Sequence, residues 1–199
     1  MLRILQLFFV ILYTTYASSS EKQANQLPTD VVLGNENAPV TIIDYSSFTC
    51  PTCAHFHNEV LPKLEKKYIE TGKAKLIFRS YAARALDLQV SAIPMCASKT
   101  KFYTFVKVFF KTQSNWAQDS SSPISTIENI ARLGGFSKEE VKACLEDKIT
   151  EENIIKIRHA AQNEFNINAT PTFIINGTKY VGFLSFNKIS KIIDEILKK

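Results

Sequence analysis

The sequence predicts an α/β domain that carries a large all-helical insertion. Strand patterns lie only towards the two ends of the chain, and residues 82–165 between them have helical patterns without a strand pattern. A length of 199 residues suits one domain with an insertion, and a 45% hydrophobic content can form a substantial core. We therefore assign residues 30–81 and 166–199 to the α/β domain.

The first part of this domain has the order strand, helix, strand. Residues 40–45 (VTIIDY) are rich in β-branched side chains and predict a buried strand. A Cys-Pro-Thr-Cys motif at residues 50–53 then opens a helical pattern that reaches about Ile69, and residues 73–79 predict a second strand. Apolar side chains recur every four residues along this helix, at Phe56, Val60, Leu64 and Tyr68.

Five helical segments are predicted in the insertion. Ser137 and Glu140 have the spacing of a capping box at the start of the fourth segment. Pro94 is expected to kink or divide the first. The predicted segments are residues 86–97, 101–113, 124–133, 137–146 and 151–165.

The end of the chain returns to β-structure. Residues 172–175 and 178–181 are β-rich runs separated by Asn176-Gly177, which is a strong signal for a hairpin turn. Residues 185–199 predict a closing amphipathic helix.

The first residues have the pattern of a secretory signal peptide. Arg3 precedes an apolar run over residues 4–13, and Thr15-Tyr16-Ala17 offers small residues for cleavage after Ala17. The run is shorter than the roughly 20 residues that span a bilayer, although an uncleaved anchor is the alternative. We expect residues 1–17 to be a signal peptide, 18–29 a flexible leader, and the mature protein to lie in an oxidising compartment such as the periplasm.

The charge pattern gives no indication of nucleic-acid binding. The formal net charge is +5, but the lysines are spread among nearly as many acids and form no concentrated basic patch. A solvated surface is the interpretation that we adopt.

The placement of Cys50 and Cys53 predicts redox chemistry. Cys50 directly follows a strand and starts a helix, where unpaired backbone N–H groups and the helix dipole stabilise a thiolate. Pro51 suits the first helical turn, because its missing N–H costs nothing there. Cys53 lies one turn further on, so Cys50 is the expected nucleophile and Cys53 the resolving thiol.

Two other interpretations of the pair stay open. Cys50, Cys53 and His57 have spacing that would allow a shared zinc ion, but no fourth ligand is visible, so no metal is predicted. The second interpretation is a purely structural disulfide between Cys50 and Cys53. His55 and His57 are expected at the helix surface or the rim of the site, where His57 could raise the positive potential near the pair.

Residues 43–53 (IDYSSFTCPTC) resemble the strand-to-active-site segment of thioredoxin-like proteins. The continuation at residues 54–57 (AHFH), the helical insertion and Thr170-Pro171-Thr172 are similar to the DsbA-like branch of thiol–disulfide oxidoreductases. The resemblance covers about residues 30–199. It implies a thioredoxin-like fold with an inserted all-helical domain.

The resemblance also implies roles for three residues. Thr170-Pro171 matches a cis-proline loop against the active disulfide, although only about 5–6% of X–Pro bonds in folded proteins are cis. The backbone of Thr170 would pair with an incoming substrate as an added strand. Asp44 matches a buried acid that assists Cys53, the alternative being an exposed residue at a strand end.

One departure concerns the residues between the cysteines. Strongly oxidising DsbA proteins carry a histidine there, whereas this chain has Pro51-Thr52, which we expect to contact substrate together with Thr170. Threonine offers a hydroxyl but no charge, so we predict a milder oxidant. A Cys50 pKa at or below about 3.5 would contradict this.

The resemblance further implies a second disulfide, Cys96–Cys144, between helices of the insertion. Two buried free thiols are the alternative. The bridge would close a loop of about 49 residues and stabilise the fold by roughly 4 kcal/mol.

The implied function is disulfide donation to unfolded or reduced exported proteins. No cofactor is expected, the protein is expected to be a monomer, and a membrane quinone-linked protein would reoxidise it. A reductase or isomerase is the alternative within the same chemistry. A non-catalytic thioredoxin-like binding module is the alternative of another class.

Overall fold

A five-stranded mixed sheet forms the centre of the protein. The computed structural model describes residue 27, residues 29–118 and residues 121–198. The predicted signal peptide and most of the predicted leader lie outside the described residues. The strands are β1 (Val32–Leu33), β2 (Val40–Ser46), β3 (Ala74–Ser80), β4 (Thr172–Ile175) and β5 (Thr178–Val181).

The strand order is β1-β3-β2-β4-β5. β2 and β3 are parallel, because a helical crossover joins them, and the other pairs are antiparallel. β1 was not predicted: it has two residues, and it exists only through its pairing with β3. At the β4–β5 turn, Asn176 and Gly177 both have positive φ, 42° and 85°, as the hairpin signal predicts.

The crossover from β2 to β3 alternates between α-helical and π-helical turns. It consists of α1 (Pro51–His55), a π-helical turn (Phe56–Val60), α2 (Leu61–Leu64) and a second π-helical turn (Glu65–Ile69). Gly72 follows with φ 71°, a left-handed conformation that glycine adopts without steric cost.

The described residues of the insertion between β3 and β4 form helices joined by loops and contain no strand. Ser137 and Glu140 form the predicted capping box, with hydrogen bonds of 3.1 and 2.7 Å. Pro94 does not divide its helix, which continues to Cys96 because the proline lies in its last turn. The π-helical turn was not predicted. The elements are α3 (Ala85–Cys96), α4 (Lys99–Lys111), a π-helical turn (Ser114–Gln118), α5 (Pro123–Leu133), α6 (Lys138–Glu146) and α7 (Lys148–Phe165).

The insertion shares its core with the sheet. On one face, Phe48 and Phe78 pack against Phe110 of α4, and the crossover and α8 (Phe186–Ile196) belong to the same cluster. On the other face, Ile157 and Ala161 of α7 join the cluster that covers the sheet. Within the described part of the chain, no helix has the length and apolar character needed to cross a bilayer.

Candidate active site

Cys50 lies at the junction between β2 and the crossover helix. It is the N-cap residue of α1, with φ −86° and ψ 117°, and Pro51 occupies the first turn. Its side chain is half-buried, whereas Pro51 and Thr52 are exposed. The sulfur of Cys50 therefore lies at the positive end of the helix dipole and is accessible to a second molecule.

Cys53 lies one turn further along and faces the interior. Its exposed fraction is 0%, and both cysteines are free thiols in this structure. Only Cys50 is therefore positioned to meet an external thiol or disulfide.

The pKa values of the two thiols are shifted in opposite directions. The pKa of Cys50 is lowered to about 5, chiefly because the Cys53 thiol donates a hydrogen bond to it. Burial opposes this effect. The backbone N–H groups of Cys53 and Thr52 and the Thr170 side chain lower the pKa further. Burial raises the pKa of Cys53 far above its ordinary value, and the negative charges of Cys50 and Asp44 add to this effect. One thiolate at Cys50 and one thiol at Cys53 is therefore the stable state of the reduced pair near neutral pH.

The Thr170–Pro171 loop lies against Cys50. The peptide bond between these residues is cis, and the Cys50 sulfur is 3.6 Å from the carbonyl oxygen of Thr170. The backbone N–H of Gly182 donates to the carbonyl oxygen of Pro171 at 2.8 Å, which anchors the loop to the residue after β5. Thr170 is partly exposed beside Cys50.

Asp44 is buried beneath the cysteines, and its exposed fraction is 0%. The alternative of an exposed strand-end residue is wrong, because Asp44 is in the middle of the central strand β2. Alternation along the strand places Asp44 and Ser46 on the same face, which is the face covered by Cys53. The Ser46 hydroxyl donates to Asp44 Oδ1 at 2.5 Å.

His57 is not at the helix surface or the site rim, so that expectation was wrong. Its side chain has an exposed fraction of 0%, and its Nε2 is 2.8 Å from Asp44 Oδ2. Its ring stacks on Phe110 at 3.9 Å between centroids. A polar residue was expected to be exposed, but a buried acid and an aromatic ring hold it inside. His55 is exposed, with its ring 5.0 Å from that of Phe183.

Cys50 and His57, two of the residues considered as zinc ligands, make other contacts in this structure. His57 pairs with Asp44, and Cys50 with Thr170. Among the described residues, no group of three or more His, Cys, Asp or Glu side chains is arranged to hold a metal ion.

Two residues of the insertion that sequence reasoning missed hold the loop before Cys50. Asp87, buried in the first turn of α3, accepts from the Ser47 hydroxyl at 2.9 Å and from the Thr49 backbone N–H at 2.9 Å. Gln113, just after α4, donates to the carbonyl oxygens of Phe48 and Cys50 at 2.6 and 3.0 Å. Both residues were visible at the ends of predicted helices, but their targets lie about 40 and 65 residues away in the chain.

A disulfide joins Cys96 and Cys144 in the structure, with 6.1 Å between their Cα atoms. It connects the end of α3 to α6, within the insertion. The two buried free thiols of the alternative are therefore not found.

Comparisons with known proteins match most of this chain. A family model described as "Thioredoxin" matches residues 26–195. A Rickettsia felis protein named "Putative protein-disulfide oxidoreductase" is 36% identical over 172 residues, which cover 85% of this chain and 61% of that protein. The chain thus spans less than two thirds of that relative's length. "Disulfide bond formation protein D" of Bacillus subtilis is 26% identical over 84% of this chain and 77% of its own.

Solved structures support the comparison. The crystal structure of α-DsbA1 from Wolbachia pipientis has a TM-score of 0.83 and 29% identity, over 90% of this chain and 96% of its own. Oxidised BdbD from Bacillus subtilis, at 24% identity over 87% of this chain and 96% of its own, has the same fold with a TM-score of 0.76. The predicted thioredoxin-like fold with a helical insertion is confirmed.

Proposed function

This chain belongs to the thioredoxin family, and we propose that it is an exported thiol–disulfide oxidoreductase that donates disulfides to other proteins through Cys50 and Cys53. The observation that carries the proposal is the difference in acidity and burial between Cys50 and Cys53. Hydrogen bonds lower the pKa of the half-buried Cys50 to about 5, while Cys53 is buried behind it. A protein that only binds its partner has no need of such a pair.

The reaction starts from the oxidised pair. A substrate thiolate attacks the Cys50 sulfur, the Cys50–Cys53 bond breaks, and Cys53 leaves and takes up a proton. A second substrate thiolate then attacks the substrate sulfur of this mixed disulfide. A disulfide forms in the substrate, and Cys50 leaves as a thiolate. The substrate has lost two electrons, and the Cys50–Cys53 pair has gained them.

The acidity of Cys50 drives the second step, because a thiol of lower pKa is the better leaving group. Its pKa of about 5 is above the roughly 3.5 of DsbA, in keeping with Thr52, which offers a hydroxyl but no charge between the cysteines. We therefore propose a milder oxidant than that protein.

The substrate is proposed to bind across the exposed surface around Cys50. Pro51 and Thr52 are exposed on one side, and Thr170 offers backbone groups on the other. An extended substrate segment would pair with Thr170 as an added strand, while Pro171 shapes the loop against the sulfur. Asp44 is proposed to assist protonation and deprotonation of Cys53, since the Asp44 carboxylate lies buried beneath the Cys53 side chain.

The partners follow from the chemistry. Reduced or unfolded exported proteins supply the thiols, and a membrane quinone-linked protein is proposed to reoxidise a monomeric enzyme. Export rests on the signal pattern of residues 1–17. The relatives named for disulfide formation support the direction of the reaction. Cys96–Cys144 is proposed to be a structural bridge.

The test is the equilibrium potential of the Cys50–Cys53 pair against glutathione, with the oxidation of a reduced dithiol peptide as the activity. We expect a potential between about −120 and −200 mV and loss of peptide oxidation in Cys50→Ala. A potential near the −270 mV or so of thioredoxin would indicate a reductase instead. Activity that survives Cys50→Ala would overturn the proposal.

A further inference from the structure

The backbone conformation of Cys50 decides which groups its sulfur can meet. The groups that lower the pKa of Cys50 are the Cys53 thiol, the backbone N–H groups of Cys53 and Thr52, and Thr170. Two of these residues belong to α1, and the third lies across from it on the cis-proline loop. Rotation about ψ of Cys50 would turn the start of α1 away from the sulfur. The groups therefore act together only while Cys50 keeps its φ of −86° and ψ of 117°.

Gln113 holds this conformation through two carbonyl oxygens. Its side-chain NH₂ group, which has two protons to donate, lies 2.6 Å from the carbonyl oxygen of Phe48 and 3.0 Å from that of Cys50. The torsions of Thr49 and Cys50 lie between these two oxygens. A donor that holds both oxygens therefore restricts the rotation of both residues, and the position of the Cys50 oxygen follows ψ directly.

Asp87 holds the same loop only as far as Thr49. Its carboxylate accepts from the Ser47 hydroxyl and from the backbone N–H and the hydroxyl of Thr49. At Cys50, the backbone N–H donates to the carbonyl oxygen of Ser47 at 3.2 Å, and the carbonyl oxygen accepts the first backbone bond of α1 at 3.1 Å. Those two bonds stay within one short segment, whereas Gln113 ties the Cys50 carbonyl to a separate part of the fold.

Packing fixes the position of Gln113 itself. The residue lies directly after α4 with an exposed fraction of 5%. The ring of Phe48 packs against the rings of Phe109 and Phe110, with centroids 5.9 and 4.8 Å apart. On the other side of Gln113 in the chain, the indole N–H of Trp116 donates to the carbonyl oxygen of Phe109 at 3.1 Å. Ring contacts and hydrogen bonds thus join the end of α4 to the same loop.

We propose that Gln113 is a positioning residue, which acts through the backbone of Cys50 to keep its sulfur beside the groups that stabilise a thiolate. The inference rests on the proposed function, in which Cys50 is the leaving group of the second step. In that step a substrate thiolate forms an S–S bond with the substrate sulfur, the bond from that sulfur to Cys50 breaks, and Cys50 keeps the electron pair. A residue of the insertion thereby sets how strongly the active pair oxidises its substrates.

The alternative is that Gln113 only satisfies two buried carbonyl oxygens. Its loss would then lower the free energy of unfolding and leave the titration of Cys50 unchanged. Titratable groups face Cys50 or its neighbours from three elements: Cys53 from α1, Asp44 from β2 and Asp87 from α3. Replacing the uncharged Gln113 leaves all of them in place, so a changed titration of Cys50 would report altered geometry and not a lost charge.

The test compares Gln113→Met with Val141→Ala in the full chain. Methionine is about as long as glutamine but has no donor. Val141 is buried in α6 and its apolar side chain cannot hydrogen-bond to the loop, so its truncation loosens the insertion and leaves the contact intact. Thiolate absorbance should show the pKa of Cys50 raised from about 5 to about 6 in Gln113→Met. The equilibrium constant for oxidation of glutathione by the Cys50–Cys53 pair should fall about tenfold at neutral pH, because the reduced form loses that much stabilisation of its thiolate.

Val141→Ala should keep the wild-type values of both quantities while it lowers the stability in urea. A Gln113→Met protein that matches wild type in both would overturn the proposal, however much it is destabilised. Equal changes in Val141→Ala would also overturn it, because any loosening of the insertion would then suffice.

If Gln113→Met does not fold, nitrogen NMR of the Gln113 side-chain amide in wild-type protein decides. Its signals should shift with the same midpoint as the thiolate absorbance of Cys50, since the two groups share one backbone unit. Signals that stay constant from about pH 4 to about pH 8 would overturn the proposal. A changed Cys50 titration in Gln113→Met without peptide oxidation by wild-type protein would reject the proposed function alone.

Discussion

The side-chain amide of Gln113 donates to the carbonyl oxygen of Cys50 at 3.0 Å. Gln113 is buried just beyond α4, so the helical insertion contacts the backbone of Cys50 itself. The same nitrogen donates to Phe48 at 2.6 Å. The insertion is therefore part of the framework that positions the active cysteine.

Replacing Gln113 by Ala should destabilise the protein. The substitution leaves the buried carbonyl oxygen of Phe48 without this donor and weakens the support of Cys50, so the free energy of unfolding should fall by about 1–3 kcal/mol. Urea unfolding measures the change. Gln89→Ala, on the exposed side of α3, should change it by less than about 0.5 kcal/mol. Equal effects of the two substitutions would contradict the role of Gln113.

Asp87→Asn should be more damaging than its small change in shape suggests. Every hydrogen-bond partner of the Asp87 carboxylate is a donor, so the NH₂ group of an asparagine would face N–H and O–H groups. We expect the free energy of unfolding to fall by about 2–4 kcal/mol. Glu139→Gln, an exposed acid in the first turn of α6, should cost at most about 1 kcal/mol. A similar loss for both acids in urea unfolding would show that helix-end charge alone matters. The donors are the Ser47 and Thr49 hydroxyls and the backbone N–H groups of Thr49, Ala83 and Arg84.

Thiolate absorbance of the reduced protein should titrate with a Cys50 pKa of about 5. Since this pKa lies below the ordinary value of 9.0, the thiolate's contribution to the stability of the reduced form is complete above pH 9 and is lost as the pH falls through 5. The difference in unfolding free energy between reduced wild-type protein and Cys50→Ala should thus grow from pH 5 to 9. A difference that stays constant over that range would count against a stabilised thiolate.

Removal of the second disulfide should lower stability without removing the active pair. The bridge spans a sequence separation of 48 residues, so the double substitution Cys96→Ala/Cys144→Ala should cost roughly 4 kcal/mol in urea unfolding. Native alkylation with mass analysis provides the check on the bridge itself. Modification of both Cys96 and Cys144 in the folded, oxidised protein would exclude it.

Local patterns predicted most of the secondary structure. The β-branched run of β2, the Asn176-Gly177 turn and the Ser137–Glu140 capping box are signals contained within a few neighbouring residues, and each has the expected structure. β1 escaped prediction because a two-residue strand has no periodicity of its own. Pro94 does not divide its helix, because it lies in the last turn and few helical residues follow it, whereas a kink at Pro94 stays a prediction.

The sequence by itself determined the reactive pair: a cysteine between a strand and a helix, followed by Pro51 and a second cysteine one turn on, is a local arrangement. Only the tertiary structure decided which polar groups support it. Asp87 and Gln113 were not predicted as parts of the site, and His57 was expected at its rim rather than buried against Asp44, because the partners of all three come from other elements of the fold. A buried polar side chain needs a hydrogen-bonding partner, and the identity of that partner is settled only when the elements pack together.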